Sequence, residues 1–172
     1  MARLDYEKAV KNYTTMIYRI GFSYTNSKYD AEDILQEVFL KLLQKDMDFS
    51  DEEHLKHWLI RVAINQCKNF QKSFWKRKVE VSEPGTFEPE FEEELEQRLY
   101  EELQQLPGKY RVMIHLYYFE GYKIREIAEV FHMRESTVNT RIARGRKLLK
   151  SLLEEEQNGC KEKGCKRKTV IS

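Results

Sequence analysis

The stretch YKIREIAEVFHMRESTVNTRIARGRKLLK, residues 122–150, carries two apolar stripes at helical spacing on either side of a short polar break, residues 132–134. The first stripe consists of Ile124, Ile127, Ala128 and Phe131, and the second of Val138, Ile142, Gly145 and Leu149. Two short amphipathic helices separated by so tight a break predict a helix-turn-helix.

Polar and basic side chains lie off the apolar stripe of the second helix. They are Thr137, Asn139, Thr140, Arg141 and Arg144. Arg and Asn can read base edges in the major groove through paired hydrogen bonds, each discriminating by roughly 1–3 kcal/mol. Arg146, Lys147 and Lys150 suit phosphates, which position a protein without specifying sequence. The pattern favours duplex DNA as a partner over the alternative, an ordinary amphipathic helix with a solvated basic face.

The composition sets the broad class of protein. A chain of 172 residues has room for one medium domain or two small ones. No apolar run approaches the roughly 18 residues of a membrane span, and the start MARLDYEKAV lacks the features of a secretion signal. Three cysteines among many Lys and Glu do not suggest a disulfide framework. We therefore expect a soluble protein of the cytoplasm.

The net charge of +1 hides a strong segregation of charge along the chain. Residues 68–78 hold five basic groups and no acid, and residues 80–104 hold ten glutamates against one arginine. Residues 109–150 hold ten Lys or Arg against four Glu. Because local fields govern nucleic-acid binding, the two basic blocks keep DNA as a partner despite the near-neutral total.

Prolines at 84 and 89 mark a linker between two helical halves. Before it, helices are expected over residues 6–24, from about 30 to 45, and 52–76; after it, over 92–106, 109–120 and the helix-turn-helix. The predicted fold is all-α, with two small helical domains joined by a flexible acidic linker. The predicted divisions are 1–77, the linker 78–91, 92–154, and a disordered tail 155–172 with too little apolar surface to offset its ordering entropy.

Residues 30–44, DAEDILQEVFLKLLQ, predict a helix with an acidic outer face. Asp30 and Asp33 are expected to cap it. The inward side chains are expected to be Ile34, Leu35, Val38, Leu42 and Leu43. The outer face suits a basic protein surface, with Phe39 as an apolar anchor at its edge. A plain solvated helix face would produce the same pattern.

The helix predicted over residues 52–76 carries a polar and basic ridge in one narrow sector. The ridge residues are Arg61, Asn65, Lys68, Lys72 and Lys76, and the aromatics beside them are Trp58, Phe70, Phe74 and Trp75. Rings that stack on bases beside cations that follow the backbone suit a single-stranded nucleic acid, and Asn65 suits the edge of an unstacked base. The alternative is that the rings belong to the core and that the lysines serve the helix dipole.

Together these segments resemble the bacterial RNA polymerase sigma factors of the extracytoplasmic-function (ECF) type, in the sigma-70 family, over residues 5–153. DAEDILQEVFLKLLQ is similar to region 2.2, and HWLIRVAINQCKNFQKSFWKRK, residues 57–78, to regions 2.3 and 2.4. LPGKYRVMIHLYYFEGYKIREIAEVFHMRESTVNTRIARGRKLLK, residues 106–150, is similar to region 4. The resemblance implies a sigma-2-like bundle, a sigma-4-like helix-turn-helix, and a transcription initiation factor that is not an enzyme and needs no cofactor.

The resemblance also implies partners and roles. Core RNA polymerase would be bound through the clamp helices of its largest subunit and through its flap, by Asp33, Gln36, Glu37, Phe39 and Lys41. Melted minus-10 DNA would be bound by Arg61, Asn65, Lys68, Asn69 and Lys72, with a specificity loop at about residues 46–53. Duplex minus-35 DNA would be bound by Thr137, Asn139, Thr140, Arg141 and Arg144. An anti-sigma factor would hold the protein inactive.

The chain departs from the family pattern at two places. Lys68-Asn69-Phe70 stands where many relatives have an acidic residue followed by paired arginines, so the minus-10 sequence does not carry over. Met133 and Arg134 occupy the usual position of a Ser or Thr helix cap, which leaves Ser136 as the nearer candidate. Cys160 and Cys165 lie beyond the resemblance, and their spacing leaves metal or redox sensing open beside a passive tail.

Two other classes of function compete with this interpretation. A regulator that binds duplex DNA alone would use the first domain for dimerisation or sensing. A nucleic-acid enzyme fits worst, because the chain has no Gly-rich phosphate loop and no metal-ligand spacing, and its four histidines lack consistent carboxylate partners.

Overall fold

The computed structural model describes residues 5–45, 48–74, 91 and 93–162, and these form helices without any strand. The N-terminal module consists of α1 (Tyr6–Thr25), α2 (Lys28–Gln44) and α3 (Glu52–Phe74). The C-terminal module consists of α4 (Glu94–Leu103), α5 (Gly108–Tyr118), α6 (Ile124–Phe131) and α7 (Glu135–Glu162). The predicted all-α class is confirmed. Within the described ranges, none of these helices combines the length and apolarity that a membrane crossing needs.

The N-terminal module is a three-helix bundle in which each helix packs on the other two. Its fully buried side chains include Ile17, Ile20, Val38, Leu42, Leu59, Ile60 and Ile64. Asp5 caps α1 by accepting a hydrogen bond from the backbone N–H of Lys8. α1 and α2 come close at Gly21, where a Cβ would lie 3.2 Å from the Cα of Ala31. Because Gly21 has no side chain, α1 and α2 can pack this closely.

Three details of α2 differ from the sequence prediction. Ser27 caps the helix by accepting a 3.3 Å hydrogen bond from the N–H of Asp30, so Asp30 lies in the first turn and neither aspartate is the cap. Leu43 is 63% exposed, because it lies about 100° around the helix from the core residue Leu42. Phe39 is only 8% exposed, and its ring meets Tyr6 edge-on at 6.3 Å. The predicted apolar anchor is therefore a core residue here.

In the C-terminal module, α5 packs against α7 through a close approach at Gly145. A Cβ at this glycine would lie 2.4 Å from Cδ1 of Ile114 and 3.1 Å from Cβ of Tyr110. The predicted apolar stripes of α6 and α7 are buried at Ile127, Ala128, Phe131, Val138, Ile142 and Leu149. The two helices pack against each other, as a helix-turn-helix requires.

The turn between α6 and α7 is made without glycine. His132 takes the left-handed conformation, with φ 54° and ψ 47°, and its N–H bonds the carbonyls of α6. α7 begins at Glu135, and the carbonyl of Arg134 accepts from the N–H groups of Thr137 and Val138. Ser136 lies inside the first turn, so the prediction that it caps the helix is wrong.

The ends of the C-terminal module also differ from expectation. α7 continues to Glu162, so the first eight residues of the segment predicted to be a disordered tail are helical, and residues 163–172 lie outside the described part. Of the predicted linker, only Phe91 is described. Its ring lies 4.2 Å from the guanidinium of Arg19 and 5.1 Å from the ring of Tyr100. The predicted linker thus ends in a cation–π contact with α1 and an aromatic contact with α4.

The two modules pack on each other, which the sequence did not predict. α1 contacts α5 and α3 contacts α6, and one apolar cluster contains buried residues of both modules. Arg111 of α5 is 5% exposed; its Nε donates to the carbonyl of Ser23 at the end of α1, and its Nη1 donates to those of Gln104 and Leu106. Burial lowers the pKa of this guanidinium. The bond to Ser23 joins the two modules at this point, and the bonds to Gln104 and Leu106 hold the guanidinium within the C-terminal module.

Candidate nucleic-acid and polymerase interfaces

Of the ridge predicted on α3, the structure describes the side chains of Arg61, Asn65 and Lys68. Arg61 and Asn65 are exposed, as is the neighbouring Asn69, whereas Lys68 is partly buried. Nζ of Lys68 donates a 2.9 Å hydrogen bond to the carbonyl of Val130 in α6 and lies 5.1 Å from the ring of Phe131. Burial lowers the pKa of Lys68. The Lys72 side chain and all of Lys76 lie outside the described residues.

The start of α3 is held by Asp51, whose Oδ1 accepts a 2.7 Å hydrogen bond from the backbone N–H of His54. That bond, followed by the one from the Ser50 hydroxyl, lowers the pKa of the Asp51 carboxyl. Such a cap satisfies a backbone donor that the first helical turn leaves without a helical partner. Asp51 lies within the loop that the resemblance places at about residues 46–53.

An aromatic cluster that the sequence analysis missed lies under the same loop. Phe49 meets the ring of Trp58 edge-on at 5.6 Å, and Nζ of Lys45 lies 4.2 Å from the Trp58 centroid. Burial lowers the pKa of Lys45. Trp58, which the sequence suggested as a base-stacking ring, is thus engaged by the loop. A Lys and an aromatic that flank a predicted loop are the only sequence signal for such a contact.

Of the other rings that the sequence analysis placed beside the ridge, Phe70 is partly buried. The Phe74 side chain and all of Trp75 lie outside the described residues.

The predicted groove-reading face of α7 is largely open. Thr137, Asn139, Thr140 and Arg144 are exposed, and Arg141 is partly covered. The Thr140 hydroxyl donates to the carbonyl of Ser136 at 2.9 Å, which holds its side chain along the helix. Arg146 donates to the hydroxyl of Tyr118 at 3.3 Å. The geometry suits a helix that lies in a major groove with its first turns nearest the bases.

The outer face of α2 carries most of the residues predicted for polymerase binding. Gln36, Glu37 and Lys41 are exposed, and Asp33 is partly exposed. Phe39 is buried, whereas Leu40 is 48% exposed and Leu43 63% exposed. These two leucines, with Tyr29 at 45% exposed, give this face an apolar part, and the sequence analysis missed all three as contacts. The face combines acidic and apolar side chains, as a protein-docking surface does.

Family comparisons agree with the division into two modules. The family described as Sigma-70 region 2 matches residues 9–77, and the family described as Sigma-70, region 4 matches residues 96–149. The first range contains α2 and the α3 ridge, and the second contains α5, α6 and most of α7. Each candidate interface therefore lies within a matched range.

Sigma factors of Bacillus subtilis align with most of this chain. RNA polymerase sigma factor SigV of Bacillus subtilis (strain 168) is 33% identical over 141 residues, which are 81% of this chain and 85% of that protein. ECF RNA polymerase sigma factor SigM of the same organism is 27% identical over 148 residues, 81% of this chain and 90% of that protein. These alignments run through both modules.

Two solved structures share the fold. The sigma factor RpoE of Bartonella quintana, in complex with the anti-sigma factor NepR, has a TM-score of 0.64 and 19% identity, over 87% of this chain and 97% of that one. CnrH, in complex with the cytosolic domain of CnrY, has a TM-score of 0.57 and 19% identity, over 87% of this chain and 88% of that one. At these identities the likeness concerns the fold.

Proposed function

The chain belongs to the ECF group of the sigma-70 family, and from this premise we propose how its residues divide the work of promoter recognition. A sigma factor directs core RNA polymerase to specific promoters for transcription initiation, and it is not an enzyme. Catalysis belongs to the polymerase. What this chain contributes is binding: to the polymerase, to paired DNA and to melted DNA. We assign residues 1–77 to polymerase and minus-10 binding and residues 92–154 to minus-35 binding.

The C-terminal module reads duplex minus-35 DNA with the exposed face of α7. Asn139 and Arg144 suit base edges, Arg141 lies beside them, and Thr137 and Thr140 complete the face. The first helix of a helix-turn-helix crosses the DNA backbone, which is the place of α6. Support comes from the exposure of these side chains on one side of a helix whose opposite side is core.

The N-terminal module captures unstacked minus-10 bases along α3. Asn65 is exposed and uncharged between basic neighbours, which suits hydrogen bonding to a base edge, whereas Arg61 and Lys68 suit phosphates. Asn69 and Lys72 extend the same ridge. Base capture offsets part of the unstacking free energy and thereby holds the strands apart. The loop before α3, anchored by Asp51 and Trp58, is the second element of this site.

The outer face of α2 binds the clamp helices of the largest polymerase subunit. We retain Asp33, Gln36, Glu37 and Lys41 for this role and replace the buried Phe39 by its exposed neighbours Leu40 and Leu43. Exposed apolar side chains beside acidic and polar ones suit a protein interface. The C-terminal module meets the flap of the polymerase.

An anti-sigma factor regulates the chain, and the chain acts in the cytoplasm, where the polymerase is. The support is that a sigma factor of the same fold, RpoE, was determined in complex with the anti-sigma factor NepR. At 19% identity to RpoE, the anti-sigma factor of this chain is to be found by experiment. A pull-down with the full chain, followed by identification of the bound protein, tests this part.

The observation that carries the proposal is the presence, in one chain, of two exposed polar and basic helical faces within the matched regions 2 and 4. Run-off transcription tests it. Core polymerase with this protein is expected to start at a defined promoter, selected from genomic DNA by the reconstituted holoenzyme, and core polymerase alone is not. A regulator that binds duplex DNA by itself would leave core polymerase inactive, and that result would overturn the proposal.

A further inference from the structure

A lysine at the end of α2 is held against two aromatic rings. Nζ of Lys45 lies 4.2 Å from the ring centroid of Trp58 in α3 and 5.1 Å from that of Phe49 in the loop between the two helices. A cation within about 6 Å of a ring is attracted by the negative face of the ring. Burial lowers the pKa of Lys45, so the ammonium is partly withdrawn from water, which strengthens this attraction. Lys45 therefore ties the loop to α3.

Phe49 is the loop residue at which these contacts meet. Its ring also approaches that of Trp58 edge-on at 5.6 Å and that of His54, in the first turn of α3, at 5.3 Å. The same ring packs against the buried core of the bundle. The end of α2, the loop and the first two turns of α3 thus share one cluster, to which Lys45 contributes a positive charge.

The cluster lies on the side of α3 that carries Asn65. Trp58 precedes Asn65 by seven residues, which in an α-helix is about 10 Å along the axis and about 20° around it. Arg61 lies between them and is exposed. The loop that packs on Trp58 therefore flanks the residue proposed to bind an unstacked base.

The position of the Lys45 ammonium favours an indirect role. A phosphate contact would require Nζ to leave the two rings, and it would not distinguish one base from another. A loop beside a binding site, in contrast, contributes to specificity only when supporting contacts hold it in one geometry. The contacts of Lys45 with Phe49 and Trp58 are supporting contacts of this kind.

On the basis of the proposed function, we propose that Lys45 is a positioning residue for minus-10 recognition: its ammonium holds Phe49 and the loop against Trp58, in the geometry in which the loop contributes to the choice of the captured base. Lys45 itself contacts neither the base nor the strand. Removal of the cation therefore relaxes the base preference and leaves the affinity for single-stranded DNA in general unchanged. Arginine replaces lysine in this role, because a guanidinium also stacks on aromatic rings.

The first measurement is made on holoenzyme reconstituted from core polymerase and the full chain. It is titrated with a labelled single-stranded DNA that carries the minus-10 sequence of the selected promoter, with the same DNA substituted at each position in turn, and with oligo(dT). The test variant is Lys45→Gln, which removes the charge and keeps part of the apolar stem. Lys45→Arg keeps the charge. Lys11→Gln, at an exposed position of α1, is the matched control.

The second measurement follows the Trp58 ring in the free chain. Of the two tryptophans, Trp75 is replaced by Phe in every protein, so that the tryptophan fluorescence comes from Trp58. Acrylamide is uncharged, so its quenching reports the exposure of the ring and not the charge beside it. Quenching is expected to rise in Lys45→Gln and to stay at the parent value in Lys45→Arg and Lys11→Gln.

Lys45→Gln is expected to lower the base preference at one minus-10 position by about threefold, the effect of one cation–π contact of ordinary strength. Lys45→Arg and Lys11→Gln are expected to keep the preference. The affinity for oligo(dT) and its salt dependence are expected to stay the same in all variants. A lost phosphate contact would instead reduce the slope of log affinity against log salt by about 0.7. Circular dichroism checks that each variant is folded.

Three outcomes overturn the proposal. An unchanged base preference in Lys45→Gln means that the cation does not position the loop. A reduced preference with unchanged Trp58 quenching means that Lys45 contacts the DNA directly. An equal loss of preference in Lys45→Arg and Lys45→Gln means that a cation over the rings is not what matters. Failure of the wild-type holoenzyme to initiate at any promoter would overturn the proposed function itself, and quenching of the free chain would still show whether Lys45 holds the ring.

Discussion

Asn65 shows how one uncharged residue can be decisive among charged neighbours. Its side chain is exposed on α3, and none of the described residues forms a side-chain hydrogen bond with it. An amide in this position can donate to and accept from a base edge, which a lysine cannot do. The phosphate contacts that we propose for its basic neighbours would hold the strand but carry no sequence information.

Replacing Asn65 by Ala is expected to weaken open-complex formation by about 0.5–1.5 kcal/mol, the usual contribution of one hydrogen bond, and to leave core-polymerase affinity unchanged. Permanganate footprinting of the melted region measures the first, and titration of labelled protein with core polymerase the second. Asn12→Ala, on the exposed side of α1, is the matched control. Equal losses in both measurements would argue against base capture.

The backbone of His132 is strained, because this residue takes the left-handed conformation in the turn of the helix-turn-helix. A residue with a Cβ in the left-handed region is disfavoured by roughly 1–2 kcal/mol, and glycine avoids this penalty but loses more conformational entropy on folding. His132→Gly is therefore expected to stabilise the chain by about 0.5–1 kcal/mol, measured by denaturant unfolding.

Ala143→Gly, at an exposed helical position of α7, is the control for His132. There glycine is expected to destabilise by about 1 kcal/mol, because the helical conformation suits alanine. Opposite signs at the two positions would show that backbone conformation decides the effect. Destabilisation at both would mean that the His132 side chain contributes more than its backbone strain removes.

At the scale of the element, the start of α3 depends on the charge of Asp51. The pKa of Asp51 is lowered in the folded chain, so its ionised form stabilises the helix start above the unfolded pKa of about 3.9. That stabilisation is lost as the pH falls through the folded pKa. Asp51→Asn keeps an oxygen that can accept from His54 N–H and does not titrate.

We expect the His54 amide to lose protection from hydrogen exchange in the wild type as the pH is lowered below about 4, and to lose less of it in Asp51→Asn. Exchange rates corrected for intrinsic pH dependence, measured by NMR, test this. Identical pH profiles in the two proteins would show that another group controls the start of α3.

On α7, exposed basic residues divide into two expected classes. Arg144→Ala is expected to weaken minus-35 binding of the holoenzyme by roughly 1–3 kcal/mol and to relax the base preference at one position. Lys147→Ala, one turn further on, is expected to weaken binding uniformly across sequences, because a phosphate contact carries no base information. Competition between promoter variants distinguishes the two classes of contact. If Arg144→Ala leaves the base preference unaltered, Arg144 contacts the DNA backbone and not a base.

At the scale of the whole molecule, the packing of the modules sets the size of the free chain. A compact chain of this length has a radius of gyration of about 16 Å, and separated modules would exceed it. Small-angle scattering of the free protein is expected to give a value near the compact one at low salt. The radius of gyration is expected to rise with salt. Screening weakens the ion pairs between the modules, Arg19–Glu96 and Lys56–Glu120. A large, salt-independent radius would contradict the packed arrangement.

The helices and their faces were predictable from local pattern. Ile127, Val138 and Ile142 recur at helical spacing, and a helix repeats its faces regardless of what it packs on. The exposed residues of α7 follow from the same periodicity, because residues of a helix that lie outside its buried stripe face the solvent. Asn65 and Arg61 were predictable for this reason too. Chain order and segment patterns were enough to indicate the family.

Choices between neighbouring positions required the tertiary structure. Phe39 and Leu43 are both apolar and flank the core stripe of α2, and only the position of α1, with Tyr6 against Phe39, decides which is buried. The cap at Ser27 and the left-handed turn at His132 depend on backbone geometry that several residue types permit.

Periodicity within single segments is enough to predict the seven described helices, the helix-turn-helix and the two polar faces. The packing of the modules on each other and the contact that covers Lys68 with α6 were seen only in the folded chain. That contact joins residues 62 positions apart. No local pattern encodes which of several basic side chains will find a helix end that far along the chain.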